Sequence, residues 1–262
     1  MSLRFSVIVV SLNAGGELKK TVDSVLMQRY PSYELIVKDG CSTDGSVAAL
    51  PEDPRLRVIV QNDSSIYDAM NQAVGLARGE FLIFLNCGDY FYNENVLSRV
   101  AKETLKYRAD IFYGDLYRRN LNSTDISPDK VNDFLLFRNV PCHQVCFYAK
   151  RLFEKEGYRT KYTVRADYEH FLRSVKQEGA KCRHMSITVS SYEGEGFSET
   201  AENKRKAAGE HREITEKYLG KKVYLYRFLM MITLQPVREK MAQSPHFSSL
   251  YHKLKGRLYG KE

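Results

Sequence analysis

The chain reads as an α/β protein, with a mixed, mostly parallel sheet, flanking helices and a helical C-terminal segment. Three observations predict it. Strand and helix signals alternate four times within the first ninety residues, the pattern of a parallel sheet built with crossover helices. One run, residues 81–85, is five apolar residues long, which fits a strand buried on both faces. That run stops on Asn86-Cys-Gly-Asp89, and a strand ending there delivers Asp89 to the sheet edge where open α/β sheets bind ligands.

Residues 5–10 are apolar and β-branched, a first strand, and residues 11–16 form the loop leaving it. A helix follows, because Leu18, Val22, Val25 and Leu26 recur at helical spacing and Pro31 stops it. Residues 33–37 form the next strand. The loop 38–45 leaves it, and Ser42, Thr43 or Asp44 is placed to cap a short helix through Leu50. Residues 56–60 are a third strand. Residues 65–78 are the clearest helix, with Ile66, Ala69, Met70, Ala73, Val74 and Ala77 on one stripe and Gly79 closing it.

After Asp89 the pattern gives a helix near 94–107, a short strand at 110–114 and a polar loop through 118–133. The rest is less regular. Residues 144–148 read as a strand, 150–156 as a short helix closed by Gly157, 168–178 as a helix closed by Gly179, and 185–191 as a last strand. From about residue 200 Lys, Arg and Glu rise in helical patterns, so the expected organisation is a domain over 1–200 and a basic amphipathic helical tail over 201–262.

Three strand ends converge on one rim: residues 11–13, 38–44 and 86–89. Asp39 would stand near a base or ribose and Asp89 near phosphate and metal, since carboxylates accept hydrogen bonds from bases and bind hard cations. A plainer reading has Asp39 and Asp44 capping a turn and Asp89 capping the next helix.

The totals bound the partners. A chain of 262 residues buries a proper core as one large domain or a domain with an appendage. A net charge of +8 favours an anionic partner: a nucleotide, a phospholipid surface or a nucleic acid. The 18 Tyr suit a sugar-binding cleft, although Tyr is also a common half-buried residue. Five cysteines without a Cys-x-x-Cys spacing predict free thiols in a reducing compartment. The apolar stretch near the N-terminus is too short for a signal peptide, and no stretch has the ~18 apolar residues of a membrane span.

Four motifs occur in order: Val-Ile-Val-Val-Ser-Leu-Asn (7–13), Asp-Gly-Cys-Ser-Thr-Asp-Gly (39–45), Ile-Tyr-Asp-Ala-Met-Asn (66–71) and Phe-Leu-Asn-Cys-Gly-Asp (84–89). As an ordered set they resemble the family 2 glycosyltransferases of bacterial surface-polysaccharide assembly, closest to the colanic acid, WcaE-like branch. The resemblance spans about residues 4–200. It implies a GT-A fold, a nucleotide-sugar donor with UDP favoured, a divalent Mn²⁺ or Mg²⁺, and inverting transfer to a glycan or lipid-linked glycan.

Carried over by position, the resemblance implies donor contacts at Ser11, Asn13, Asp39, Asp68, Asn86 and Asp89, with Asp89 as metal ligand. It gives the general base to Asp167 and the acceptor side to His143, Gln144 and Ser198. The chain also departs from the pattern. Asn86 and Gly88 stand where acidic residues are common, Met70 where many relatives carry Arg, and Ser65 where this branch has Gly. A site with one carboxylate binds metal more weakly.

The chemistry asks for these parts. A sugar hydroxyl is a poor nucleophile near pH 7, and a nucleoside diphosphate leaves well only when its new charge is neutralised. Asp167 would take the proton and a cation on Asp89 would hold the diphosphate. Asp167 also opens a helix, where an Asp is a plain cap.

Cys142-His143-x-x-Cys146 lacks a second cluster for a zinc site. A sugar-phosphate nucleotidyltransferase would open with a Gly-rich basic loop, which residues 11–16 only faintly resemble. A nucleic-acid-binding module would explain the charge, but no recognised motif appears and the basic residues are spread along the chain. The tail mixes Arg227, Arg238, Lys240, Lys253, Lys255 and Arg257 with aromatic and apolar residues, which suits an anionic membrane surface. A helix packed on the domain or on a second subunit, as in a homodimer, explains the tail equally. The expected location is cytoplasmic, peripheral on the inner face of the membrane.

Overall fold

The computed structural model describes residues 3–193 and 200–232. Strand β1 (Phe5–Ser11) leads through α1 (Gly16–Leu26) to β2 (Tyr33–Asp39), then β3 (Leu56–Val60), α2 (Ile66–Leu76) and β4 (Phe81–Asn86). A two-residue β5 (Tyr90–Phe91) and α3 (Val96–Lys106) precede β6 (Ile111–Arg118), β7 (Ser123–Asp125) and α4 (Asp133–Arg138). The chain then forms β8 (Cys146–Ala149), α5 (Ala166–Lys176), β9 (Cys182–Tyr192), α6 (Ala201–Leu219) and α7 (Lys222–Ile232).

All the described strands share one sheet in the order β3-β2-β1-β4-β8-β6-β9-β5, with β7 on β6. The half from β3 to β4 is parallel, and β8 is inserted antiparallel between β4 and β6. β4 is the hinge of this arrangement. Its first five residues are buried, as a strand covered on both faces requires. Gly79, which precedes it, is not the left-handed helix cap that the sequence suggested. α2 ends at Leu76 with an extended Ala77, and a Cβ on Gly79 would lie 2.4 Å from the Ser6 backbone nitrogen. Gly79 N–H instead donates to Ser6 Oγ (2.8 Å), and Ser6 Oγ donates to buried Glu34 (2.7 Å), which ties the starts of β1, β2 and β4 together.

Several expected elements are corrected. Residues 42–50 form turns, because Asp44 closes a tight turn on Ser46 (N–H at 3.0 Å) and Pro51 follows within one helical turn. The expected strand at 144–148 starts with a single 3-10 turn, His143–Val145, and the expected helix at 150–156 is another, Lys150–Phe153. Gly157 is there because Asn71 Oδ1 would lie 2.3 Å from an added Cβ. The polar loop contains β7. It is followed by α4, capped by Asn132, whose six residues are too few to show a period.

α6 joins the main core rather than standing apart: Ile214, Thr215, Tyr218 and Leu219 are buried, and Tyr218 OH donates to buried Glu169 of α5. The five cysteines are free, as expected. No described helix is long and apolar enough to cross a membrane.

Candidate active site

Parallel pairing aligns the C-terminal ends of β1, β2 and β4, with Ser11 opposite Asp39 and Val10 opposite Asn86. The loops that leave these strands are stitched together. Asn13, in the left-handed region at φ 49°, accepts a hydrogen bond from Thr43 N–H at 2.9 Å and donates its own N–H to Ser42 Oγ at 2.7 Å. Gly15 N–H donates to Asp44 (2.7 Å) and Gly40 N–H to the Ser11 carbonyl (2.8 Å). Ser11 Oγ is buried without a hydrogen-bond partner among the described residues.

Asp39 is fully buried, and Ser42 holds both its oxygens, through N–H at 2.7 Å and Oγ at 2.6 Å. It therefore fixes the shape of the 40–44 loop from below, and the turn-capping reading of Asp39 describes this geometry. Lys38, also fully buried, donates to Asp63 at 2.9 Å and braces the same loop. Asp68 turns back onto its own helix start, accepting from Ser64 N–H (2.8 Å) and Oγ (2.9 Å), while Ser65 caps α2.

The antiparallel register of β4 and β8 pairs Phe81 with Ala149 and Leu82 with Tyr148. Continued outward, that register carries residues 143 and 144 beside the end of β4. Both residues, expected on the acceptor side, make side-chain contacts to the proposed site carboxylates. Gln144 Nε2 donates to Asp89 Oδ2 at 3.1 Å, and His143 stands between Asn86 Nδ2 (3.3 Å from Nε2) and Asp167 Oδ2 (3.0 Å from Nδ1). If the Asn86 amide donates, His143 Nε2 accepts and Nδ1–H points at Asp167, which selects one tautomer. Asn86 Oδ1 is then left buried without a partner among the described residues.

Asp89 also accepts from the Asn86 N–H (3.2 Å) across the turn. It lies almost out of solvent, and this burial pushes its carboxyl up to about 6 against the Gln144 hydrogen bond and the His143 charge. Asp167 goes the other way. Burial raises it, but the His143 hydrogen bond and charge, the Tyr168 N–H and the Tyr67 hydroxyl together hold it below the usual carboxylate range. Arg165 is the N-terminal cap of α5, so Asp167 sits inside the first turn, at the positive end of the helix. Its side chain is 23% exposed, within reach of a ligand.

Two participants escaped the sequence reading. Tyr67, in the first turn of α2, donates to Asp167 Oδ1 at 3.0 Å; its neighbours in the 66–71 motif pointed to the region but not to this residue. Arg119 donates to the Gly88 carbonyl at 2.8 Å and lies over the Tyr90 ring at 4.4 Å, locking the 86–89 turn. It comes from the polar loop, where no pattern marks it. Ser198 lies outside the described residues.

Among the described residues no three His, Cys, Asp or Glu side chains gather as metal ligands. What the β4 turn offers is one carboxylate, Asp89, and the orphaned oxygen of Asn86. Both are hard oxygen donors, the kind that a Mg²⁺- or Mn²⁺-type ion would take.

Comparison with known proteins gives the family. The sequence pattern described as "Glycosyl transferase family 2" matches residues 6–183. A "PGL/p-HBAD biosynthesis glycosyltransferase" of Mycobacterium tuberculosis is 34% identical over 208 residues, covering 76% of this chain and 81% of that protein. The mannosyltransferase PcManGT of Pyrobaculum calidifontis, solved with GDP-Man and Mn²⁺, matches with a TM-score of 0.64 at 16% identity, over 100% of this chain and 89% of that one. TarS 1-349 of S. aureus, solved with UDP-GlcNAc, matches with a TM-score of 0.61 at 18% identity, over 83% of this chain and 72% of that one. Another TarS 1-349 structure is matched over 60% of its length. The solved structures share the GT-A fold with this chain. With an α/β sheet whose β4 end, bearing Asn86 and Asp89, meets Asp167 in the first turn of α5, the chain belongs to glycosyl transferase family 2 and is a glycosyltransferase.

Proposed function

We propose that this enzyme transfers a sugar with inversion from a nucleoside-diphosphate donor, UDP favoured, to a hydroxyl of a glycan or lipid-linked glycan. The pathway that suits it is bacterial surface-polysaccharide assembly, in the WcaE-like manner that its motifs resemble, on the cytoplasmic side of the membrane. The geometry of Asp167 carries the reading: its carboxyl is reachable, is held below the usual carboxylate range, and is joined through His143 to the turn that bears Asn86 and Asp89.

Of about four lone-pair positions on the Asp167 carboxylate, Oδ1 serves Tyr67 and Tyr168, and Oδ2 serves His143. One position on Oδ2 is left for an acceptor hydroxyl. As the acceptor's hydroxyl oxygen bonds to the anomeric carbon, the bond from that carbon to the diphosphate oxygen breaks on the opposite face, and the acidified hydroxyl proton passes to Asp167 Oδ2. His143 and Tyr67 keep the carboxylate in place. Asp89 and Asn86 would hold a divalent cation, which when bound neutralises the charge of the leaving diphosphate. The rim of Ser11, Asn13 and the Asp39-shaped loop would receive the nucleoside, with Asp68 acting through the start of α2.

The neighbours bound to UDP-GlcNAc and to GDP-Man with Mn²⁺ support a donor of this kind. A thermal-shift panel tests it: UDP plus Mn²⁺ is expected to raise the melting temperature, and GDP to do so less. No shift with any nucleoside diphosphate overturns the donor assignment.

A further inference from the structure

α7 has two apolar faces, and among the described residues only one has a partner. Val223, Tyr226 and Met230 face inward, with the Tyr226 ring 5.5 Å from both Phe134 and Phe137 of α4. On the opposite side Tyr224, Leu225, Phe228, Leu229 and Met231 form a continuous exposed stripe, with Tyr224 and Phe228 66% and 56% exposed. A soluble helix of 11 residues rarely spends five apolar side chains on water.

Charge selects the occupant. Residues 201–262 carry 14 Lys and Arg against 6 Glu, an excess of eight, so the chain's whole net charge of +8 lies there and residues 1–200 balance. Lys221 and Lys222 open the stripe and Arg227 flanks it, with Lys222 paired to Asp133 and Arg227 to Glu216, so the excess of the segment as a whole supplies the attraction. Interfacial helices combine an apolar face with cationic flanks, and each cation near an anionic leaflet adds to the attraction. No described helix is long and apolar enough to cross a membrane, and an amphipathic helix of this kind lies on the surface.

The position suits an acceptor held in that surface. α4, which carries α7, receives the Tyr168 hydroxyl on its Leu136 carbonyl, and Tyr168 is the residue after Asp167. We propose that the Tyr224–Leu225–Phe228–Leu229–Met231 face of α7 docks on an anionic lipid surface, presenting the Asp167 side of the cleft to the membrane. Docking itself is independent of which sugar the enzyme transfers.

The chain contains no Trp, so Phe228→Trp creates a single fluorescent reporter on the stripe. In the full-length chain, vesicles of phosphatidylcholine with phosphatidylglycerol are expected to shift its emission to the blue and shield it from iodide, while pure phosphatidylcholine does so far less. Leu225→Asp with Phe228→Asp is expected to weaken vesicle co-flotation about tenfold or more, with an unchanged melting curve because both residues are exposed. Three results overturn the proposal. They are a reporter already shielded in dilute protein without vesicles, meaning that the chain covers itself; a shift that follows protein concentration alone, meaning a second copy; and unchanged flotation of the double variant.

Discussion

His143 bridges Asp167 and Asn86, with Nδ1 3.0 Å from the Asp167 carboxylate and Nε2 3.3 Å from the Asn86 amide. The contact links the proposed proton acceptor to the turn proposed to face the donor. His143→Ala should lower kcat about 10- to 100-fold, the scale on which orienting partners act, while donor affinity changes little. Steady-state kinetics with a donor-binding titration checks this; a loss confined to donor affinity would give His143 a binding role instead.

Asp89 supplies a pH dependence. Burial raises its folded pKa to about 6, above the ~3.9 of an unfolded Asp. Its contribution to stability is thus fully present below about pH 4 and is lost as pH rises through about 6. Chemical denaturation of wild type and Asp89→Asn across pH 4–7 should show that slope in wild type and a flatter one in the variant. Donor and Mn²⁺ binding should run the opposite way and weaken as pH falls through about 6. Gln144→Ala, by removing a hydrogen bond that favours the carboxylate, should move that limb to higher pH.

His184 lies between Asp115 Oδ1 and Asp129 Oδ1, 2.9 Å from each, and fastens the segment between β6 and α4 to β9. The Asp115 hydrogen bond, with that of Asp129, raises its pKa despite burial. Its stabilisation is complete below the ~6.5 of an unfolded His and is lost as pH rises through the folded value. His184→Gln should therefore destabilise the protein more at pH 6 than at pH 8.5, by about 1 kcal/mol at the lower pH. Equal destabilisation at both would remove the charge from the account.

Much of this was legible in the sequence, and the residues show why. The parallel half follows from local signals: apolar runs at β1, β2 and β4, and the stripe of α2. Asp89 and Asp167 were readable because each ends or opens such an element. His143 and Gln144 were visible as residues but not in their partnership, which depends on β8 running antiparallel beside β4. Asp39 and Asp68 stand out in the sequence by residue type alone, and only the folded loops reveal that neighbouring Ser residues hold them. Arg119 and Tyr67 reach the site from a distant loop and a helix start, contacts that no local pattern encodes.

In the proposed reaction Asp167 takes the proton of the acceptor hydroxyl. Asp167→Asn keeps the size and one hydrogen-bonding oxygen but removes the base. With Mn²⁺ and a UDP-sugar donor, kcat is expected to fall about 10²- to 10⁴-fold while donor affinity, read by calorimetry, stays within about threefold. Turnover equal to that of wild type would contradict the assignment.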